Sequence, residues 1–218
     1  MSVAIITAVW GNYWERFGRQ FQDSTAALNP AAAQIIVASP TPLEADPHIT
    51  VVPCEQLMWD SFSDAARAVT ADWIWAVGID DTYPTDALAD LPTSCDVISV
   101  AGRRADGIPW AADESGFRRI LQIGHNPMQG SCIVRRDVWP LAPWRRVVWP
   151  DWMQWLEIRK LRLNVAFDRR PRYDFIRHDG AHSMHGSATG EEEIAQMRNI
   201  LNWHNVRPDT VFPPEIVD

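Results

Sequence analysis

Residues 59–91, WDSFSDAARAVTADWIWAVGIDDTYPTDALADL, decide how the chain folds. Phe62, Ala65, Ala66 and Val69 recur at helical spacing, and Trp73 to Ile79 is an apolar run of the length of a buried strand. Two adjacent carboxylates, Asp80 and Asp81, follow at that strand's carboxyl end, and Thr85 to Leu91 is predicted to form a short second helix. In an open α/β sheet ligands bind at that edge, and paired carboxylate oxygens there suit a divalent cation holding phosphates. An Asx turn closing the strand accounts for the same residues without any ligand, because Asp and Pro favour such turns.

The pattern repeats on the N-terminal side. Ala4 to Val9 reads as a strand; Trp14, Phe17, Phe21 and Leu28 follow at helical spacing until Asn29-Pro30 ends the helix. Gln34 to Ala38 and Ile49 to Val52 are two further strands, separated by the Ser39-Pro40-Thr41-Pro42 turn. Strands alternating with helices predict an α/β fold with a mostly parallel central sheet flanked by helices. Asp96 to Ala101 and Cys132 to Arg135 read as strands, with an irregular, hairpin-bearing connection over 103–126. Asp151 to Leu163 is predicted helical, with an apolar arc of Trp152, Met153, Trp155, Leu156 and Leu163. Two short strands, Val165 to Phe167 and Tyr173 to Ile176, come next, and a last helix opens at the capping box Thr189 to Glu192.

At 218 residues the chain suits one well-packed domain. No run of 18 apolar residues exists to cross a membrane, and the N-terminus lacks the basic flank and cleavage site of a signal peptide, so a cytoplasmic protein is expected. Three widely spaced cysteines, Cys54, Cys95 and Cys132, fit a reducing compartment and suggest no cysteine metal site. The net charge of −8 excludes a large non-specific nucleic-acid footprint. Within it, residues 135–177 form a basic segment, which suits either an anionic partner or a solvated arginine surface. Twelve tryptophans supply core area and flat stacking faces.

Taken in order, five stretches resemble the inverting glycosyltransferases of family 2, which have the GT-A fold. VAIITAVWGN (3–12) is similar to the family's opening strand and nucleotide-facing turn. AARAVTADWIWAVGIDDTYPTDAL (65–88) is similar to its Arg-bearing helix, buried strand and aspartate motif. MQGSCIVRRDVW (128–139) resembles the small-residue strand facing the donor sugar, and WPDWMQWLEIRKLRLNVAF (149–167) the helix carrying the catalytic acid. RPRYDFIRHDGAHS (170–183) resembles the family's Tyr-rich strand ending in Arg-His and a Ser. The resemblance runs from Val3 to about Ser183.

It implies a single GT-A domain with a nucleotide-sugar-binding half (1–101), an acceptor and catalytic half (102–189) and a C-terminal helix and tail (190–218). The donor is a nucleotide-diphospho-sugar, a UDP-sugar first among the candidates, and the acceptor a hydroxyl of a soluble protein, glycan or modified DNA base, with an anionic acceptor suiting the basic segment. Nucleic acid enters only as acceptor. Similar compact chains occur in bacteria and bacteriophages, in the latter case acting in the host cytoplasm.

By position, Asp80 is the last aspartate of the family's DxD motif with Asp81 beside it, both ligands for Mn²⁺ or Mg²⁺, and His178 or His182 completes the metal site. Gly78 stands where the motif's first Asp is usual. Asp151 falls at the general base, after Pro150 in place of the usual Glu; as an Asp before an apolar helix it also fits an N-cap. Thr7, Ala8, Trp10, Ser39, Arg67 and Asp80 are assigned to the nucleotide, with Ser39 where the family keeps an Asp that reads the base. Gln129, Gly130, Ser131 and Trp152 are assigned to the sugar and acceptor. Trp10 reads equally as a core side chain, Arg67 as a surface charge, Gly130 as a turn and the histidines as loop residues. A non-catalytic glycosyltransferase-like binding module is the alternative, favoured by the departures at Gly78, Ser39 and Pro150. A nucleotidyltransferase also uses paired aspartates, but no phosphate-cradling glycine loop follows the first strand.

Overall fold

β1 (Val3–Ala8) sends Ala4, Ile6 and Ala8 to one face of a sheet and Val3 and Ile5 to the other, and all are buried. A strand covered on both faces belongs inside a parallel sheet with helices on each side. The computed structural model, which describes residues 1–55, 60–104, 107, 109–112, 114–121, 128, 132–144 and 150–176, has that architecture. The order of the eight strands is β3-β2-β1-β4-β7-β5-β6, with β8 paired to β5. β2 (Gln34–Ser39), β3 (Thr50–Pro53) and β4 (Trp73–Ala76) run parallel to β1. β7 (Cys132–Arg135) inserts antiparallel between β4 and β5 (Val97–Arg103), so residues distant in the chain complete one sheet.

α1 (Tyr13–Ala26) covers one face through Tyr13 and Phe21, against Val37, Trp73, Trp75 and Ile98. α2 (Asp60–Arg67) and α4 (Pro150–Lys160) cover the other, with Phe62, Ala65, Trp152, Trp155 and Leu156 against Ile36, Ile74 and Val134. The expected arc of α4 is instead a helix buried all round from Trp152 to Ile158. Its polar Gln154 is fully used there, accepting from Trp144 Nε1 at 2.9 Å and donating to Ala142 O at 2.7 Å.

Two predicted elements differ, and the hairpin expected over 103–126 is present. The connection over 103–126 contains β6 (Pro109–Trp110), hairpinned on β5, and α3 (Glu114–Arg118). The two expected C-terminal strands are one, β8 (Val165–Asp174), parallel to β5; register shifts around Ala101 absorb the extra residues before Pro171. Such a bulge is where an edge strand accommodates proline. Thr85 to Leu91 is a run of turns, not a helix, and its cause lies in β8. Arg172, 1% exposed, donates to the carbonyls of Asp86, Ala87 and Ala89 at 3.3, 3.0 and 2.7 Å, taking acceptors that a helix would use. Asp90 then adopts φ 50°, which ends any helical run.

Candidate active site

The carboxyl ends of β1, β4 and β5 meet on one edge of the sheet, and the chain between β4 and β5 turns there at Gly78 to Asp81. The Asp81 N–H bonds back to Gly78 O at 3.4 Å, and the Tyr83 hydroxyl donates to the same carbonyl at 3.2 Å. This tight return folds both carboxylates over the glycine. A Cβ at Gly78 would lie 2.5 Å from Asp80 Oδ1 and 3.2 Å from Asp81 Oδ2. The departure at Gly78 therefore has a physical reason: the space of a side chain there is filled by the two carboxylates that follow.

Two like charges converging in a partly closed site raise each other's cost. Burial, and then the neighbouring Asp80 charge, push the Asp81 carboxyl well above the usual range, against a hydrogen bond from the Ile176 N–H. Asp81 Oδ1 is enclosed and has no hydrogen-bond partner. A divalent cation fits this donor set, since converging carboxylate oxygens are what such an ion neutralises. Among the described residues no third His, Cys, Asp or Glu joins them; His178 and His182 lie outside the described residues.

The turn is braced from three sides. Gln20 Nε2, from α1, donates to Asp80 O at 3.3 Å, and Thr7 Oγ1 to Val77 O at 2.9 Å. Thr82 forms an antiparallel bridge with Asp174 at the end of β8, with bonds of 3.2 and 2.8 Å. Beneath lies an aromatic floor in which Trp75 meets Tyr83 at 5.4 Å and Tyr173 at 6.5 Å between ring centroids.

Asp151 belongs to the same edge. It occupies the first turn of α4, one residue inside Pro150 and so not at the N-cap position, where the helix dipole favours a negative charge. Its charge reaches the Cys132 thiol and the Tyr173 hydroxyl, and the latter also feels Asp81. Tyr173 thus feels the charge of both the acidic turn and Asp151.

The remaining expected residues divide. Trp10 is half-buried beyond β1 and packs on Tyr13 at 5.1 Å, beside the turn, since the Tyr13 hydroxyl lies in the field of Asp80. Thr7 and Ala8 are enclosed in the sheet, the Thr7 hydroxyl donating to Val77 O just past the end of β4. Ser39 is buried, its hydroxyl donating to Thr41 O at 2.7 Å and accepting from Thr41 N. Arg67 is exposed at the end of α2 and ion-paired with Asp64. Trp152 is buried in the core at 2% exposure. Gln129, Gly130 and Ser131 lie outside the described residues. Sequence reasoning missed Gln20, Tyr13, Tyr83 and Tyr173 as parts of this site; only Tyr83, two residues after Asp81, carried a local signal.

Three arginines of the basic segment are engaged within the chain, Arg172 in the core and Arg170 and Arg135 at the surface. Arg172 pairs with Asp168, Arg170 donates to Ala89 O and Asp90 O, and Arg135 pairs with Asp96 and Asp137. These charges are removed from the case for an anionic acceptor.

No protein-family model matches the chain, and no curated protein does. Solved structures share its fold, the GT-A architecture expected from the sequence. S. aureus TarS residues 1–349, in complex with UDP-GlcNAc, aligns over 92% of this chain with a TM-score of 0.68 and 14% identity. The mannosyltransferase PcManGT from Pyrobaculum calidifontis, in complex with GDP-Man and Mn²⁺, aligns over 83% with a TM-score of 0.61 and 12% identity. The chain spans 65% of the TarS 1–349 chain and 58% of the PcManGT chain. No helix among the described residues is long and apolar enough to cross a membrane.

Proposed function

We propose that the protein is a metal-dependent inverting glycosyltransferase that moves a sugar from a nucleotide-diphospho-sugar to a hydroxyl of an acceptor. The observation that carries this reading is the convergence of Asp80 Oδ1 and Asp81 Oδ2 over Gly78, at the ligand-binding edge of a fold shared with proteins solved with UDP-GlcNAc and with GDP-Man and Mn²⁺. Asp80 and Asp81 would hold the cation, with His178 or His182 as a further ligand. When bound, a divalent cation neutralises charge on a departing diphosphate.

The chain's own residues supply the rest. Asp151, half-buried in the first turn of α4, takes the proton of the acceptor hydroxyl as its oxygen attacks the anomeric carbon. The new C–O bond forms as the bond to the diphosphate oxygen breaks on the opposite face, which inverts the anomeric centre. Trp10 supplies an aromatic face for the base, and the Tyr13 hydroxyl stands beside Asp80 on the same approach. Calorimetry with UDP-GlcNAc and GDP-mannose, each with and without Mn²⁺, tests this. Metal-linked binding of at least one, with slow hydrolysis that Asp151→Asn suppresses, is expected; a folded protein that binds neither with any metal would sink the reading. Sugar binding without metal-linked nucleotide binding would instead support a non-catalytic module.

A further inference from the structure

Two glycines at the sheet's carboxyl edge leave room for polar groups. Gly78 makes space for the carboxylates; Gly102, on β5, makes space for Tyr173. A Cβ at Gly102 would lie 2.6 Å from Tyr173 Cζ and 2.9 Å from its hydroxyl oxygen, so the phenol ring lies flat on the β5 backbone. Tyr173 is 4% exposed, yet its hydroxyl has no hydrogen-bond partner. Leaving a buried hydroxyl unpaired costs about 1–3 kcal/mol. Asp81 Oδ1, also orphaned, sits on the turn that Thr82 ties to Asp174, the next residue after Tyr173.

The surroundings define what the hydroxyl can meet. Carboxylates of both Asp81 and Asp151 act on it, and its burial keeps it protonated, hence a donor. A phosphate oxygen is repelled between two carboxylates. A neutral hydroxyl is not: it accepts from Tyr173 and donates to a carboxylate oxygen. In an inverting displacement the transferred sugar lies between the leaving diphosphate and the base, and Tyr173 lies within the field of both Asp81 and Asp151.

We propose that Tyr173 is a binding residue for the transferred sugar, its hydroxyl donating to a sugar hydroxyl that in turn donates to Asp81 Oδ1. This rests on the glycosyltransferase reading above. Tyr173→Phe keeps the ring on Gly102 and removes only the hydroxyl. In the protein without ligands, thermal melting of Tyr173→Phe is expected to match or exceed that of the wild type, because the deleted group has no partner. With Mn²⁺, affinity for UDP and GDP is expected to stay unchanged, while affinity for UDP-GlcNAc or GDP-mannose, whichever the wild type binds, falls about three- to tenfold, the worth of one hydrogen bond. Equal loss for nucleotide and nucleotide sugar, or no loss for either, would overturn the proposal. So would a lowered melting temperature, which would give the hydroxyl a role in the fold. If the wild type binds no nucleotide at all, the glycosyltransferase reading fails by itself, and the melting comparison still judges Tyr173.

Discussion

The acidic turn at Gly78–Asp81 and the basic strand β8 are both dense in charge, and they use it in opposite ways. On β8, Arg172 pairs with Asp168 and donates to three carbonyls, and Arg170 donates to one of these, Ala89 O, and to Asp90 O. In the turn, two carboxylates converge and Asp81 Oδ1 is left without a partner. Compensated charge holds the fold together. A buried carboxylate oxygen without a partner, held in place by the backbone, is what a ligand must satisfy, and it marks the site better than abundance of charge does.

Substitutions separate the two regions. Asp80→Ala and Asp81→Ala are expected to lower turnover by about a hundredfold or more, measured as donor hydrolysis or transfer, with melting little changed or raised. Arg172→Met is expected to cost about 3–5 kcal/mol in urea denaturation, because the buried donor to the Asp86, Ala87 and Ala89 carbonyls is lost and Asp168 is left with Arg170 at 3.8 Å, while nucleotide-sugar affinity of the folded fraction is unchanged. If Arg172→Met instead spared stability and abolished donor binding, the division between the regions would collapse. Gly78→Ala should weaken Mn²⁺ binding about tenfold at nearly unchanged stability, because its Cβ displaces the Asp80 carboxylate and not backbone. By the same geometry Gly78→Asp restores the motif but not the affinity.

The smallest effect is a pH slope. Asp81 keeps its proton in the folded chain at pH values where the unfolded chain, with an ordinary aspartate near 4, has lost it. The folded state then binds more protons, so stability without metal declines as pH rises from about 4 through the raised value. Asp81→Asn should flatten that part of a stability profile taken from urea melts at stepped pH. Mn²⁺ competes with the same proton, so its affinity rises with pH.

Much of the fold of the N-terminal half was legible because its signals are local. The continuous apolar run of β1, the helical spacing of Phe62, Ala65 and Val69, and the adjacent aspartates all lie within short windows. What was not legible depends on distant pairings. The turns over 85–91 are set by Arg172, more than eighty positions away from Asp86 and Ala87. The single strand β8 needs the bulge opposite Ala101, which its partner supplies. The missing acid at Gly78 read as a defect until the return of the chain placed two later carboxylates in its space. Tyr173 enters the site only because Gly102 lets its ring lie on β5.

The central claim is that Asp80 and Asp81 together hold a divalent cation. Titrating Mn²⁺ into the protein in the presence of UDP, with free Mn²⁺ followed by its paramagnetic resonance signal, tests it directly. One ion per chain is predicted for the wild type and none for Asp80→Asn or Asp81→Asn, with circular dichroism showing both variants folded. Undiminished Mn²⁺ uptake by both variants would contradict the account.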